Sequence, residues 1–548
     1  MSTPLSSRNS DADVVIIGSG INSLVAAAKL SGAGRKVVLL ESRSTIGGFI
    51  ASGERTLPGF VHDTFSSWHP LFVSGPGYAE FGDDLHEHGL EYANTDRAMA
   101  ATVGTVRGEQ RCVIAHRSRA ETAESLTNSE DGRAYLDMLD EFDRQSPTVF
   151  GMLGTEVSQW SALARTGFTA LRTLGPKGSL GLVRSGASSA RALFESTFVG
   201  TDVDALWTPW LLHSGLGPDS ATGGIMVPVF AASLHGFGMP VVRGGAANFI
   251  AAFTSLLRGR DVEILTDTTA TGIETSHGSV RAVRTDGGRI TTGIVIASTS
   301  PQALYQNLLA DADGVSQQTT DSRRFRSGKG AAQIHFALSS PVPWSDSSLA
   351  DIPLVHLSEG SSGTAISIAE AAAGLVPRRP TVVVGQQCVL DPSRAPSGHA
   401  TLWVQLQEVP YRPEGDAAGE IEGPLEWSES SFRRAFVDRI IDRIEEYAPG
   451  FRQTILADDL ISPTDLEAHN PNAVNGDPYG GSAELDQNLM FRPFLSGAAH
   501  ATAVRGVWHI GAATHPGPGL GGGSGFLAAQ QILSPGRLAR MRSRFTSR

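Results

Sequence analysis

Glycines and one acidic residue near the start of the chain have the spacing of a dinucleotide-binding site. The stretch reads VVIIGSGINSLVAAAKLSGAGRKVVLLESR from residue 14. Its apolar runs at 14–17 and 36–40 predict parallel strands that are buried on both faces, and the Ala- and Leu-rich run between them predicts a helix. In such a unit glycines let the backbone approach a pyrophosphate, the helix N-terminus offers free N–H groups, and a carboxylate after the second strand accepts hydrogen bonds from a ribose. The predicted contacts are Gly18, Ser19, Gly20, Ile21, Asn22, Ser23 and Glu41.

The residues around and after the acid indicate which dinucleotide is bound. Ser23 stands where a third glycine is usual, and it is small enough for close packing of helix on strand. Glu41 is followed by Ser42, Arg43 and the pair Gly47-Gly48. This E-x-R-x3-G-G pattern resembles the second flavin-binding signature of FAD enzymes such as amine oxidases and carotene desaturases. An arginine and a flexible glycine pair would extend the phosphate cradle. We therefore predict FAD as the cofactor.

Composition excludes several classes of protein. The chain has 548 residues, of which 41% are hydrophobic and 18% charged, which is typical of a globular protein with two or three sub-domains. A net charge of −12 disfavours nucleic acid as a partner and gives no support to electrostatic attachment to an anionic membrane. Cys112 and Cys388 are too far apart in sequence for a redox dithiol motif, which fits a reducing, cytoplasmic compartment. No metal site is predicted.

The ends of the chain and its hydropathy give further expectations. Residues 1–12 are polar and lack an apolar core, so we expect a disordered tail and not a secretory signal. No run approaches about 18 apolar residues, so no transmembrane helix is expected. Residues 130–235 have helical patterns, which predict a helical cap over a pocket. An alternative for the cap is a face that dips into a bilayer to collect a lipid, with the protein peripheral to the membrane.

The order of elements predicts an α/β fold with an α+β substrate domain. A strand meander over 269–285 resembles the insertion of the glutathione-reductase-like Rossmann FAD-binding domain, in which Ala270 stands beside the adenine. We expect this domain to be discontinuous, with segments 13–90, 236–300 and 495–548. Segments 91–129 and 301–494 are expected to form a substrate domain of mixed sheet and loops.

A second glycine loop lies near the C-terminus, after a short apolar strand at 507–510. It reads GAATHPGPGLGGGSG and precedes an Ala-rich helix. In the FAD folds that it resembles, Gly511 and Ala512 approach the pyrophosphate and ribityl chain. Gly519, Leu520 and Gly521 then pass the isoalloxazine ring. The helix that follows aims its N-terminus at flavin N1 and C2=O, where it would stabilise the negative charge of reduced flavin.

Taken together, these segments resemble the phytoene (carotene) desaturase family, and within it the phytoene-dehydrogenase-related branch. The resemblance also rests on LPGF at 57–60, VVRGGAANF at 241–249, DPSRAPSGHATLWVQLQEVPY at 391–411 and NPNAVNGDPYGG at 470–481. It implies FAD, a tunnel for a lipid- or isoprenoid-like substrate, hydride transfer from a saturated C–C bond to flavin N5, and reoxidation by quinone or oxygen. Some members of the family isomerise or saturate double bonds instead.

No catalytic residue follows from a motif, and two rival functions stay open. His69, Arg492 and His515 are the candidates for a polarising or proton-transferring group. An amine-oxidase-like flavoprotein that releases hydrogen peroxide is one rival, with Lys329 as the lysine beside flavin N5. A flavin-bearing binding or scaffold protein without turnover is the other. The oligomeric state does not follow from the sequence.

Overall fold

The computed structural model describes residues 8–106, 108–156, 160–519 and 521–533. Its strands, numbered in chain order, are β1 Arg8–Asp11, β2 Val14–Ile17, β3 Val37–Leu40, β4 Ser52–Gly53, β5 His62–Asp63, β6 Tyr92–Ala93, β7 Ala98–Val106, β8 Glu109–His116, β9 Val241–Val242, β10 Glu263–Leu265, β11 Ala270–Ser276, β12 Ser279–Thr285, β13 Gly288–Thr291, β14 Ile294–Ser298, β15 Gly330–Leu338, β16 Leu354–Leu357, β17 Leu375–Val376, β18 Val382–Gly385, β19 Ala400–Val409, β20 Gly415–Asp416, β21 Ile455–Ile461 and β22 Val507–Ile510.

The α-helices are α1 Ile21–Gly32, α2 Pro70–Val73, α3 Pro76–Glu87, α4 Arg119–Ser125, α5 Ser129–Leu153, α6 Trp160–Ala187, α7 Ala190–Thr197, α8 Asp202–Leu212, α9 Gly223–Phe237, α10 Ala247–Gly259, α11 Ser316–Ser322, α12 Gly360–Ala372, α13 Ser430–Glu445, α14 Phe451–Thr454, α15 Pro463–His469 and α16 Gly523–Leu533.

A five-stranded parallel sheet of order β10-β3-β2-β14-β22 forms the first unit. Strands β2 and β3 are buried on both faces, as the apolar runs predict. Val14 and Ile16 share a core with α1, α10 and α16, whereas Val15 and Ile17 face the meander strands β11 and β12. Helices on one face and a meander on the other leave the carboxyl ends of the strands open to a ligand.

A four-stranded sheet of order β1-β13-β12-β11 contains the meander and one unexpected strand. The polar composition of residues 1–12 predicts a disordered tail, and this prediction is wrong for residues 8–11. They form β1, which pairs in parallel with β13 from Arg8 opposite Gly288 to Asp11 opposite Thr291. Backbone hydrogen bonds to an open sheet edge hold the segment, and such bonds need no apolar side chains. Residues 1–7 lie outside the described part of the chain.

The substrate sheet has seven strands in the order β21-β15-β19-β18-β16-β7-β8. Helix α13 buries an apolar stripe, with Phe432, Phe436 and Ile440 among its core residues, against one face of this sheet. The opposite face contributes Met99, Val383 and Trp403 to a core shared with α5, α7, α8 and α9. The predicted helical cap is therefore present, and it covers the face of the sheet opposite α13. The predicted domain boundaries stay a prediction.

Arg394 ties the two parts of the fold together. Its side chain is 1% exposed, and its guanidinium forms ion pairs with Asp63 at 2.8 Å and Asp391 at 3.2 Å. Asp63 also accepts from the backbone N–H of Ala246, and Asp391 from that of Gly244. The buried guanidinium is paired with two carboxylates, and each carboxylate also accepts a hydrogen bond from a backbone N–H group. These contacts fix the turn before α10 against the substrate domain.

Among the helices of the described chain, none is both long enough and apolar enough to cross a bilayer. The described residues also contain no group of three or more His, Cys, Asp or Glu side chains placed to hold a metal ion.

Helices α1 and α16 approach so closely that only glycine fits between them, which gives a first prediction. A side-chain carbon at Gly525 would lie 1.8 Å from the carbonyl oxygen of Asn22. We expect Gly525→Ala to lower the free energy of unfolding by roughly 3 kcal/mol or more, because backbone and not a flexible side chain must move. Urea denaturation followed by circular dichroism measures this change.

Gly151→Ala is the matched control, because a side-chain carbon at this position in α5 meets nothing within 4 Å. This variant should be neutral or more stable by up to about 1 kcal/mol. Equal effects of the two substitutions would contradict the packing argument.

Candidate active site

One cavity of about 560 Å³ extends from the glycine turn after β2 to the face of the substrate sheet. Most of the positions predicted to bind the cofactor line it, although they come from distant segments of the chain. These are Gly18, Ser19, Gly20, Ile21, Asn22, Glu41, Ser42, Arg43, Gly47, Gly48, Ala270, Gly511, Ala512 and Gly519. The fold thus brings the two glycine loops and the start of the meander to a single site.

Glu41 is held in place by the glycine turn itself. Its Oε2 accepts from the backbone N–H of Ser19 at 3.1 Å and from the Ser19 hydroxyl at 2.5 Å, and its Oε1 accepts from the N–H of Arg43 at 3.0 Å. The Ser19 hydroxyl oxygen also accepts from the N–H of Gly47 at 3.1 Å. The carboxylate is therefore fixed at the end of β3, at the position where a dinucleotide presents its ribose.

The glycine turn leaves room for a phosphate group. Gly18 has a φ of +86°, and a side-chain carbon there would lie 3.0 Å from the carbonyl oxygen of Ser298. At Gly20 the same carbon would meet nothing within 4 Å, so the backbone borders open space at the start of α1. The first N–H groups of α1 have no acceptor within the helix, which makes this end an anion site. The glycine turn and the N-terminus of α1 therefore fit the phosphate groups of a dinucleotide.

The C-terminal loop is fixed by a hydroxyl at the start of α16. Ser524 Oγ accepts from the N–H of Gly511 at 3.2 Å and lies 2.7 Å from Thr514 Oγ1 and 3.1 Å from His500 Nε2. The N–H of Gly525 donates to the Asn22 side chain at 3.2 Å. The N-termini of α1 and α16 consequently converge on the same end of the cavity, where both favour negative charge.

Two predicted cofactor positions do not line the cavity, and a third lies outside the described residues. Ser23 is fully buried inside the unit, where a small residue permits close packing, and it does not line the cavity. Gly521 lies against the carbonyl oxygen of Leu71, also off the cavity. Leu520 lies outside the described residues. Arg43 lines the cavity, but its guanidinium donates to the carbonyl oxygens of Ala468 and His469 at the end of α15.

The three candidates for catalysis do not line the cavity. His69 is fully buried, with Nδ1 2.9 Å from the Tyr92 hydroxyl and its ring edge-on to Phe249. His515 Nε2 donates to the carbonyl oxygen of Leu153 at 3.1 Å, behind the C-terminal loop. Both histidines pack between elements of the core and make no contact with the cavity that a substrate would enter.

Arg492 has a positioning role. Its guanidinium is fully buried and donates to the carbonyl oxygens of Ala512 at 2.9 Å, Tyr479 at 2.7 Å and Gly480 at 3.2 Å. It therefore ties the loop over 477–482 to the predicted pyrophosphate loop. Burial lowers the pKa of this side chain to about 10, which leaves it charged at neutral pH.

Lys329 also lies off the cavity. Its Nζ donates to the carbonyl oxygen of Gly215 at 2.7 Å, and burial lowers the pKa of its ammonium group. The side chain thus fixes the end of the cap to the substrate sheet, and it does not reach the place that the amine-oxidase hypothesis requires.

Sequence reasoning missed the residues that form the other half of the cavity. Its walls are aromatic and aliphatic, with a few neutral polar groups. They include Phe65, Trp210, His213, Phe230, Gln333, Leu354, Trp403, Gln405 and Tyr479. These residues come from the cap, three strands of the substrate sheet and two loops, and no single motif joins them.

Comparison with known proteins supports the same architecture. A family model described as an NAD(P)-binding Rossmann-like domain matches residues 16–83. The pyridine nucleotide-disulfide oxidoreductase domain-containing protein 2 of Rattus norvegicus is 26% identical, over 95% of this chain and 93% of its own length. A phytoene desaturase (lycopene-forming) of Pantoea ananas is 23% identical, over 92% of this chain and 96% of its own. The solved structure of a triple mutant of putrescine oxidase superposes with a TM-score of 0.62 at 14% identity, over 96% of this chain and 100% of its own.

Fold, site and comparisons together define the class of protein: the chain is an FAD-dependent oxidoreductase with a Rossmann-type nucleotide domain and a separate substrate domain. The predicted resemblance to phytoene desaturases is confirmed, as are the predicted α/β fold and cofactor. The likeness to putrescine oxidase concerns the fold alone at this level of identity. Both cysteines, Cys112 and Cys388, are free.

Buried histidines give a prediction for the pH dependence of stability. Burial, followed by the charge of Arg394, lowers the pKa of His69 to about 3, and burial above all lowers that of His515 to about 4. Between about pH 6.5 and 4 the unfolded chain therefore binds more protons than the folded one, so acidification favours unfolding. From pH 7 to pH 5 each such histidine should cost the protein about 2 kcal/mol.

The measurement is the free energy of unfolding at pH 7, 6 and 5 for the protein and for His69→Gln. Between pH 7 and pH 5 this free energy should fall by about 2 kcal/mol less in His69→Gln than in the parent. The exposed His399 supplies the control, and His399→Gln should leave the pH dependence unchanged. Parallel pH profiles of the protein and His69→Gln would contradict a neutral, buried His69.

Proposed function

We propose that this protein is an FAD-dependent dehydrogenase or desaturase of an apolar, lipid- or isoprenoid-like substrate. The single observation that supports this proposal is the continuity of the cavity. Its nucleotide end, at Gly18 and Glu41, opens into a chamber walled by Trp210, Phe230 and Trp403. FAD, when bound, supplies a hydride acceptor at flavin N5, and hydride removal needs a substrate C–H held close in the absence of water.

The residues of this chain would perform the binding and the exclusion of water. Glu41 and the N–H groups at the start of α1 would hold the ribose and phosphates. The N-terminus of α16, which lies beside that of α1, would offset negative charge on the cofactor. Arg492 would keep the loop over 477–482 closed on the cofactor through its three carbonyl contacts. The aromatic walls would align an apolar substrate and keep water out.

Charge argues against an ionic substrate in the chamber. Among the described residues that line the cavity, the ionised side chains of Glu41 and Arg43 belong to the nucleotide end. Asp477 lies on the chamber side, but it accepts from the backbone N–H groups of Gly328, Tyr479 and Gly481 at 2.6–2.8 Å. A neutral substrate therefore fits better than an amine, and oxygen or a quinone is proposed as the electron acceptor.

Anaerobic titration of the oxidised enzyme separates dehydrogenation from amine oxidation. We expect terpenoid compounds to bleach the flavin band near about 450 nm, and alkyl amines to leave it unchanged. Lys329→Met serves as the diagnostic variant and should retain at least about half of the bleaching rate, because Lys329 lies off the cavity. Bleaching by amines alone, abolished in Lys329→Met, would contradict the proposal and favour the amine-oxidase function.

We further propose that α6, which consists of two helical segments joined at a non-helical Gly175, docks on the surface of an anionic membrane. Its exposed side chains include Phe168 (66% exposed), Leu180 (70%) and Val183 (68%). The helix also carries four exposed basic residues and no acidic one, although the whole chain has a net charge of −12; the basic residues are Arg165, Arg172, Lys177 and Arg184. Exposed apolar side chains beside basic ones are typical of helices that lie in a membrane interface.

The position of α6 supports delivery of an apolar substrate. Leu182 packs against an apolar cluster that includes Val229 of α9. Other residues of α9, among them Phe230 and Leu234, line the cavity. A substrate drawn from a bilayer at α6 would therefore lie one helix away from the chamber.

Sedimentation with vesicles tests this surface. The protein should pellet with phosphatidylglycerol vesicles and much less with phosphatidylcholine vesicles, and Phe168→Ser with Leu180→Ser should reduce pelleting about tenfold or more. Leu456→Ser, at an exposed apolar residue of β21, is the matched control and should pellet like the parent. Equal pelleting of the double variant and the parent would contradict docking through α6. Dimerisation of the parent through α6, without binding to vesicles, would contradict it as well.

A further inference from the structure

A pair of buried histidines joins the cap to the substrate sheet at the wall of the chamber. His213 follows the last residue of α8, and His356 lies on β16, two residues after the cavity-lining Leu354 and so on the same face of the strand. Their Nε2 atoms lie 3.1 Å apart. Trp210 stacks on His213 with ring centroids 5.1 Å apart and meets His356 edge-on at 5.0 Å. The aromatic contacts and the hydrogen bond fix both rings.

The hydrogen bond also decides where the protons of the pair reside. Burial lowers the pKa of both rings, to about 4 for His213, so both are neutral at neutral pH. Nδ1 of His356 is buried and has no partner among the described residues. An unpaired buried N–H is costlier than an unpaired ring lone pair, so the proton of His356 belongs on Nε2 and is donated to His213. His213 then carries its own proton on Nδ1.

The free N–H of His213 is one of several unpaired polar groups around the chamber. Nδ1 of His213 has no hydrogen-bond partner within the described part of the chain, and His213 lines the cavity. On the sheet, Gln333 and Gln405 are cross-strand neighbours that also line the cavity. Gln333 donates to the carbonyl oxygen of Phe65, while its own carbonyl oxygen is buried and unpaired. A buried unpaired group such as the Gln333 carbonyl oxygen costs about 1–3 kcal/mol, and a ligand that pairs with it can remove this cost.

We propose that the chamber selects an apolar substrate that bears a neutral carbonyl or hydroxyl oxygen, to which His213 donates a hydrogen bond. His356 is a positioning residue that holds the His213 ring and its tautomer. The inference deepens the proposed function and rests on it, because it assumes that the chamber holds the substrate. The group that His213 meets belongs to the substrate and not to FAD, since the cap contributes none of the nucleotide-binding positions. A pure hydrocarbon would leave the polar groups unpaired.

Equilibrium binding to the oxidised holoenzyme tests the inference without requiring turnover. The probes are farnesol, farnesal and the hydrocarbon farnesene, which share a carbon skeleton, and the readout is quenching of the tryptophan fluorescence to which Trp210 and Trp403 contribute. We expect farnesol and farnesal to bind about tenfold more tightly than farnesene. In His213→Leu this preference should fall to about twofold or less, with farnesene bound at least as well as by the parent.

Two further variants keep the result interpretable. His213→Gln retains an N–H donor and should keep part of the preference, even if His213→Leu folds poorly. His399→Gln changes an exposed histidine away from the cavity and should keep all of it. Equal affinities of the parent for the three probes, or a preference unchanged in His213→Leu, would overturn the inference. Neither result would affect the proposed dehydrogenation, which the anaerobic titration decides separately.

Discussion

The close approach of α1 and α16 is the constraint on which the site depends. The carbonyl oxygen of Asn22 occupies the place that any side chain at residue 525 would need, and the Asn22 side chain accepts from the N–H of Gly525. This contact brings two helix N-termini, one from each end of the described chain, to the same end of one cavity. Ser524 at the start of α16 holds the loop that begins at Gly511, and the glycine turn before α1 holds the carboxylate of Glu41, so the contact joins the two halves of the nucleotide site. A dinucleotide that contacts both loops would in turn stabilise the contact.

The second half of the site depends on a different packing arrangement. The cap helices cover one face of the substrate sheet, and α13 covers the other, so the chamber is enclosed between the cap and a rigid sheet. Its walls are largely aromatic and aliphatic, and the carboxylate of Asp477, which lines the cavity on this side, accepts from backbone N–H groups. The arrangement suits an uncharged molecule of largely apolar surface. The polar pair of His213 and His356 then supplies selectivity within that class.

Local signals in the sequence predicted the strands, the glycine turn and the acidic residue that line the nucleotide half of the cavity. Parallel strands, glycine turns and an acidic residue lie within 35 residues of one another, and each has a distinct physical requirement. The prediction for residues 8–11 failed because pairing at a sheet edge depends on backbone groups, which composition does not report. The catalytic candidates were chosen by residue type, and burial placed His69 and His515 in the core instead. The chamber could not be predicted, because residues as distant as His213 and His356 meet only through the packing of cap on sheet.

An FAD molecule that spans both glycine loops is central to the proposed function, and the most direct test is the identity and amount of the nucleotide that the purified protein carries. Denaturation should release one FAD per chain, identified by mass spectrometry of the supernatant, and Glu41→Gln should release less, because it removes the carboxylate that is proposed to hold the ribose. Release of NAD or NADP in place of FAD, or failure of the protein to take up FAD on reconstitution, would contradict the account.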